Sequence, residues 1–511
     1  MKSIILIFYF AVLIGIGLYC RKHATNVDGF VLGGRSVGPW LTAFAYGTSY
    51  FSAVVFVGYA GQFGWKYGIA ATWAGIGNAL IGSLMAWFIL GRRTRIMSQH
   101  LDSATMPQFF GKRFGSSALK IGASIIIFIF MIPYTASLYN GLSRLFGMAF
   151  DIDYSICVLV MAVLTAIYVI AGGYMATAIN DFIQGIIMLV GISAVIYAVL
   201  ETKGGFMSAL DGLARINDPN VATTPGIFAS FFGPDPINLL FVVILTSLGT
   251  WGLPQMVQKF YAIKNEQSIQ KGTIISTFFA FVVAGGCYFL GGFGRLFSDQ
   301  IDIKANGFDS VIPTMLSGLS DGMIALIVIL VLSASMSTLS SLVIASSSTL
   351  TIDLLKDNFI SNMSDAKQVF IMRVLIVVFI AISAVLALIQ YKSSVNFIAQ
   401  LMGISWGAMA GSFLAPFMYS LYSKKVTTAA CWTCFIFSSV LMTANMLIRP
   451  AFPVIMQSPI NAGAIAMLAG LIIVPVVSLF TSKPDKMLID HAFAAYDRTA
   501  VVPQSVALGK K

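Results

Sequence analysis

Apolar runs long enough to cross a bilayer recur along almost the whole chain, and they decide what it can fold into. Windows of about 17 residues or more, the length a membrane helix needs, fall near 4–20, 41–63, 70–91, 117–147, 154–171, 178–200, 238–256, 273–295, 321–351, 368–390, 394–422, 427–448 and 460–481. Only 10% of the residues are charged and 58% are hydrophobic, against a charged share of about 25% in soluble domains. A water-soluble fold needs a charged surface, whereas a polytopic membrane protein shows lipid a surface as apolar as its core. The expected class is therefore an all-α integral membrane protein with about 13 transmembrane helices. The first run follows a lone Lys2, but Gly17, Leu18 and Tyr19 ahead of Cys20 lack the pattern of a signal cleavage site. It is expected to remain as a helix.

A net charge of +11 suits a nucleic-acid partner only if the basic residues form a patch. Here they lie in short loops between apolar runs, so the expected partner is the lipid bilayer and no nucleic acid. With the N-terminus outside, 22 of the 31 lysines and arginines fall in inward-facing segments, leaving 9 outside. That bias predicts an outside N-terminus and an inside C-terminus. The five cysteines and three histidines form neither a disulfide framework nor a metal cluster. Cys431 and Cys434 read as two thiols at lipid depth. No nucleophile and base pair appears in the spans, so the chain is not expected to be an enzyme.

Two runs are interrupted at membrane depth. One reads Ala45-Tyr46-Gly47-Thr48-Ser49-Tyr50-Phe51-Ser52-Ala53 and the other Thr246-Ser247-Leu248-Gly249-Thr250-Trp251-Gly252-Leu253-Pro254. Unpaired peptide groups are costly in hydrocarbon, so a break survives only where protein, ions or water satisfy it. Counted from the second span, the breaks fall at helices one and six of a five-plus-five arrangement, the pattern of inverted-repeat transporters. Ordinary Gly/Ser helix packing is the competing reading, and it is the preferred one for Gly407 and Gly411. The organisation expected is one transmembrane domain over 1–482, with an extra helix at 4–20, repeat one at 41–200, repeat two at 238–422, accessory helices at 427–481 and a cytoplasmic tail at 483–511.

Acids are nearly absent from the spans. Asp181 is an ion-site candidate because an intramembrane acid is expensive to bury, but it reads equally as a helix N-cap. Asp353, near Lys356, reads as a loop acid. The ninth run carries Ser333, Ser335, Ser337, Thr338, Ser340 and Ser341, with Ser337, Ser340 and Ser341 on one face. Such hydroxyls opposite a broken helix suit a hard monovalent cation, or else bond back to their own helix.

Gly172-Gly173-Tyr174-Met175-Ala176 leading to Asp181, the stretch from Ala334 to Thr338, and Trp406-Gly407-Ala408 together resemble the sodium:solute symporter family, over essentially the whole chain. The resemblance implies a LeuT-type five-plus-five inverted repeat and sodium-coupled import of a small organic solute by alternating access, in a plasma membrane, that of a bacterium. It implies a principal sodium site made by the carbonyls of Thr48, Phe51 and Ala334 with the hydroxyls of Ser337 and Thr338. Members with a second sodium site use positions matching Asp181, Ser340 and Ser341. Ser52, Tyr134 and Pro254 match the sodium/proline branch, whereas Tyr50, Thr246 and Thr250 stand where those members carry an aspartate, a tryptophan and a tyrosine. The solute is expected among Ser52, Trp73, Tyr134, Thr246, Thr250, Trp251, Pro254 and Trp406, with core packing the competing role for each aromatic. An amino acid such as proline, a monocarboxylate, pantothenate or a sugar-type solute remain open, as does a proton-coupled permease or channel. Oligomeric state is not legible.

Overall fold

The computed structural model describes residues 2–21, 24–150, 152–221, 224–356, 360, 363–392 and 398–497, and its regular elements among these are helices. In chain order the principal ones are α1 (Lys2–Cys20), α2 (Pro39–Tyr50), α3 (54–67), α4 (72–100), α5 (Ser117–Phe150), α6 (Tyr154–Glu201), α7 (Pro236–Leu248), α8 (Pro254–Ala262) and α9 (Glu266–Gly291). There follow α10 (Asp321–Ser348), α11 (Asp365–Lys392), α12 (Ile398–Tyr422), α13 (Thr428–Leu447), α14 (Pro459–Phe480) and α15 (Lys486–Phe493). Among the described residues, nine helices are long and apolar enough to cross a membrane, or ten when the bent pair α7 and α8 is taken as one span. Residues 394–397 of the eleventh expected run and 498–511 of the expected tail lie outside the described residues.

The apolar runs outnumber these helices because two pairs of runs fuse and because the helix of the first run counts only as a shorter apolar one. Runs 154–171 and 178–200 belong to one element, α6, whose single non-helical residue is Gly173 at φ 57° and ψ −152°. No loop separates the two halves. Likewise α3 and α4 meet at Gly68, at φ 63° and ψ −144°. Hydropathy sees a dip in apolarity at both places, but the backbone turns on one residue.

Burial ranks the helices. The apolar stretch of α12 is 94% buried and that of α10, taken on to Lys356, is 72%, whereas those of α11, α13 and α14 lie between 33% and 39%. The first two form the centre and the last three lie at the periphery. Around the first break, α2 packs on α6, α9 and α10, while α12 packs on α5, α13 and α14. Gly407 and Gly411 serve this packing: a Cβ at Gly407 would fall 2.6 Å from Gly463 Cα, and one at Gly411 2.9 Å from Ser438 Oγ. All five cysteines are buried.

On the face where α12 ends, α15 is held by a 2.8 Å Lys424–Asp490 ion pair, and the Arg93 guanidinium lies over the rings of Tyr422 and Tyr496. Asp353 is not a loop acid. It is fully buried and accepts a 2.7 Å hydrogen bond from Thr105 Oγ1, because the helical run of α10 continues to Lys356 and carries it into the fold.

The conformation of Gly173 belongs to a backbone region that essentially only glycine adopts, and a Cβ there would lie 2.9 Å from the Phe30 carbonyl oxygen. Gly173→Ala should lower the melting temperature of detergent-purified protein, for a cost of about 1–3 kcal/mol. Gly15→Ala, where a Cβ meets nothing within 4 Å, should leave it unchanged. Equal melting temperatures for the two variants would rule out strain at the kink.

Candidate ion and solute site

The first break begins where α2 stops at Tyr50. Phe51 is extended, at φ −92° and ψ 118°, and the chain recovers helical form from Val54. Ser52 Oγ accepts a 3.2 Å hydrogen bond from Val54 N and so caps the second half. The interruption removes the helical partners of the carbonyls before it. Opposite these stands α10. Thr338 Oγ1 lies 3.1 Å from Thr48 O, 3.2 Å from Phe51 O and 3.1 Å from Ala334 O, and Ser337 Oγ lies 3.1 Å from Thr48 O and 3.0 Å from Ala334 O.

Thr48, Phe51, Ala334, Ser337 and Thr338, the five residues implied for the principal sodium site, are thus brought together, none more than 1% exposed. The two hydroxyls carry one proton each, so they cannot satisfy all of these contacts at once. Five oxygens rich in lone pairs converge in a dry place, and none of them is charged. That chemistry replaces the hydration shell of a hard monovalent cation, as rings of backbone carbonyls do in ion filters.

Asp181, Ser340 and Ser341 are arranged differently. Asp181 lies within the second half of α6, well past Gly173, so it does not cap a helix start. It is fully buried, and neither carboxylate oxygen has a hydrogen-bond partner among the described residues. Lys259 Nζ, on α8, stands 3.8 Å from Asp181 Oδ2 and donates to Ser341 Oγ at 3.0 Å. Ser341 Oγ in turn shares a 2.9 Å hydrogen bond with Ser49 Oγ on α2. Ser340 turns away and bonds back to Ser337 O at 2.9 Å. Lys259, counted from the sequence among inward-facing loop lysines, is 2% exposed. The apolar run ended at 256 because Gln255, Gln258 and Lys259 lower its hydropathy, yet Pro254 starts a helix there that carries all three inside.

The second break leaves α7 through a tight turn, Gly249–Trp251, and resumes at Pro254, with the halves bent by 42°. Its polar atoms are largely used by the fold. Thr246 Oγ1 donates to Val242 O at 2.9 Å, Thr250 Oγ1 lies 3.0 Å from Gly82 O, and Trp251 Nε1 donates to Ile81 O at 2.9 Å. Trp73 stands apart from the rest, its Nε1 donating to Phe231 O at 2.9 Å in a loop. Tyr134 and Trp406 do meet, edge to face with ring centroids 6.0 Å apart, and Trp406 covers the turn at Gly249.

Tyr134 Oη and Trp406 Nε1 are buried without a hydrogen-bond partner among the described residues, and so are the hydroxyls of Tyr59 and Tyr288. Buried polar atoms left unmatched are costly. Tyr59 lies near Tyr134 and Tyr288, and these unmatched aromatic tips together are a candidate wall for a solute. Sequence reasoning missed Tyr59 and Tyr288, since nothing in their spacing separates them from the other aromatics. A cavity of 960 Å³ bordered by α3 and α7, with Gln62, Tyr67 and Asn238 in its wall, opens beside both broken helices. At its rim Arg295 pairs with Asp218 at 2.9 Å and holds that carboxyl below its ordinary range.

Removing one partner of a buried ion pair leaves an uncompensated charge and typically costs about 3–5 kcal/mol. Asp181→Asn should therefore lower the melting temperature sharply. Asp181→Asn with Lys259→Met should recover most of it. A double variant no more stable than Asp181→Asn would remove the pair from the account.

A family model described as sodium:solute symporter family matches residues 30–436. An osmoregulated proline transporter, OpuE, of Bacillus subtilis is 27% identical over 482 residues, covering 94% of this chain and 94% of that one. A sodium/proline symporter of Staphylococcus aureus is 30% identical over 433 residues, covering 82% and 81%. Among solved structures, a Na+-coupled sialic acid symporter in a substrate-bound outward-open state superimposes with a TM-score of 0.73 at 16% identity, over 95% of this chain and 99% of that one. The fold is shared with that structure.

Proposed function

This chain belongs to the sodium:solute symporter family, and from that premise we propose that it carries sodium and a small organic solute together into the cell by alternating access. The observation that carries the reading is the buried group of five uncharged oxygens between the first break and α10. Sodium bound there by Thr48, Phe51, Ala334, Ser337 and Thr338 ties α2 and α3 to α10 and favours the state that accepts solute. Rocking of one bundle against the other then exposes both inward. Each positive charge moved inward gains roughly 2.3 kcal/mol per 100 mV, so one cation sustains about a fiftyfold solute gradient at that potential.

In this reading α6 counts as two spans divided at Gly173 and each broken pair as one, which makes thirteen spans in a plasma membrane, with the N-terminus outside and the C-terminus inside. The two repeats occupy 41–200 and 238–422 within one transporter domain over 1–482, and the tail is cytoplasmic. The solute lies against Ser52, Tyr134, Trp406, Tyr59 and Tyr288, between the breaks. An amino acid such as proline is the first candidate. Both relatives are named for proline, and Ser52, Tyr134 and Pro254 keep the pattern of that branch.

Purified protein in proteoliposomes should take up labelled proline when sodium is high outside, and not when choline replaces it. If proline is inert, a thermal-shift screen of amino acids, monocarboxylates, sugars and vitamins in sodium and in potassium identifies the solute, because a ligand of the native state raises its stability. Ser337→Ala with Thr338→Ala should weaken the apparent sodium affinity about tenfold or more, the equivalent of roughly 1.4 kcal/mol. Uptake indifferent to the sodium gradient, or an unchanged sodium response in the double variant, would sink the proposal.

A further inference from the structure

Beside the five-oxygen group, and one residue along α2 from Thr48, lies a second oxygen-rich pocket. It is built from the Asp181 carboxylate, the Ser341 hydroxyl and the Ser49 hydroxyl, all at most 4% exposed. A carboxylate in so dry a place, with no donor hydrogen-bonded to it, demands a cation close by. The chain supplies one. Lys259 Nζ stands 3.8 Å from Asp181 Oδ2 and 3.0 Å from Ser341 Oγ, and 5.0 Å from the centre of the Tyr174 ring, a distance at which the ring face attracts a cation. The pocket thereby holds one negative and one positive charge. A free sodium ion added to it would be an uncompensated charge against the ammonium.

We infer that Lys259 is a tethered cation standing where a second sodium ion would otherwise bind, so that one sodium, not two, accompanies each solute. The inference rests on the sodium-coupled reading above and specifies its stoichiometry. A cation on a side chain joins α8 to α6 and α10, and through Ser341 and Ser49 to α2, as an ion would. It cannot leave on the inner side. The pocket therefore serves assembly and coupling between the broken helices and adds no ion to the driving force.

The test is the number of radioactive sodium ions bound per molecule of purified full-length protein, with sodium alone and no solute. The wild type should bind one and Lys259→Ala two, the new ion taking the vacated position on Asp181. Ser337→Ala and Thr338→Ala added to Lys259→Ala should return the count to one, and Asp181→Asn with Lys259→Met should stay at one. If Lys259→Ala fails to fold, Lys259→Ser, which removes the ammonium and leaves a short neutral hydroxyl, should also bind two. Two ions in the wild type would overturn the inference and leave sodium coupling standing. One ion in both wild type and Lys259→Ala would do the same. No sodium bound by the wild type would overturn the sodium reading itself.

Discussion

The carbonyls of Thr48 and Phe51 are buried where the break leaves them without the donors of their own helix, and most of the centre follows from that. A helix interrupted in hydrocarbon must be answered by other protein groups or by an ion. Here the answer comes from Ser337 and Thr338 on α10. A helix that supplies hydroxyls to a neighbour cannot also face lipid with them, which is why the serine-rich α10 is among the most buried helices. The second break is answered in a different way, by α4 carbonyls that accept from Thr250 and Trp251. One break therefore keeps an excess of oxygen lone pairs, and the other is closed by the protein's own donors.

How much of this could be read in the chain depended on whether a signal was local. The breaks are runs of small and polar residues inside apolar segments, and the α10 hydroxyls recur at helical spacing, so both were visible. Asp181 was visible as a rare intramembrane acid, but its partner was not. Lys259 lies on the far side of a break, in a stretch polar enough to pass for a loop, and only the fold brings it back under Asp181. Asp353 was misplaced for the same reason, since its burial depends on Thr105 some 248 positions away.

The fused helix α6 was illegible for another reason. Hydropathy dips alike at a loop and at a one-residue kink, and only the dihedral angles of Gly173 tell them apart. The proposed solute wall was hardest of all. Tyr59, Tyr134, Tyr288 and Trp406 are conspicuous by buried polar atoms without a hydrogen-bond partner among the described residues, a property of an assembled interior. Thr246, Thr250 and Trp251 looked available in sequence, and the fold spends their donors on neighbouring backbone.

The contact of Gly407 with Gly463 reaches beyond packing. Two helices whose backbones touch without side chains between them have no soft layer in which to slide, and α13 fills the next position through Ser438 against Gly411. The helix carrying Trp406 is thus set in a close-packed three-helix frame with α13 and α14. Those two helices are a mount for Trp406, and so for one wall of the proposed solute site; a chain that lost them would lose the support that fixes where that ring stands.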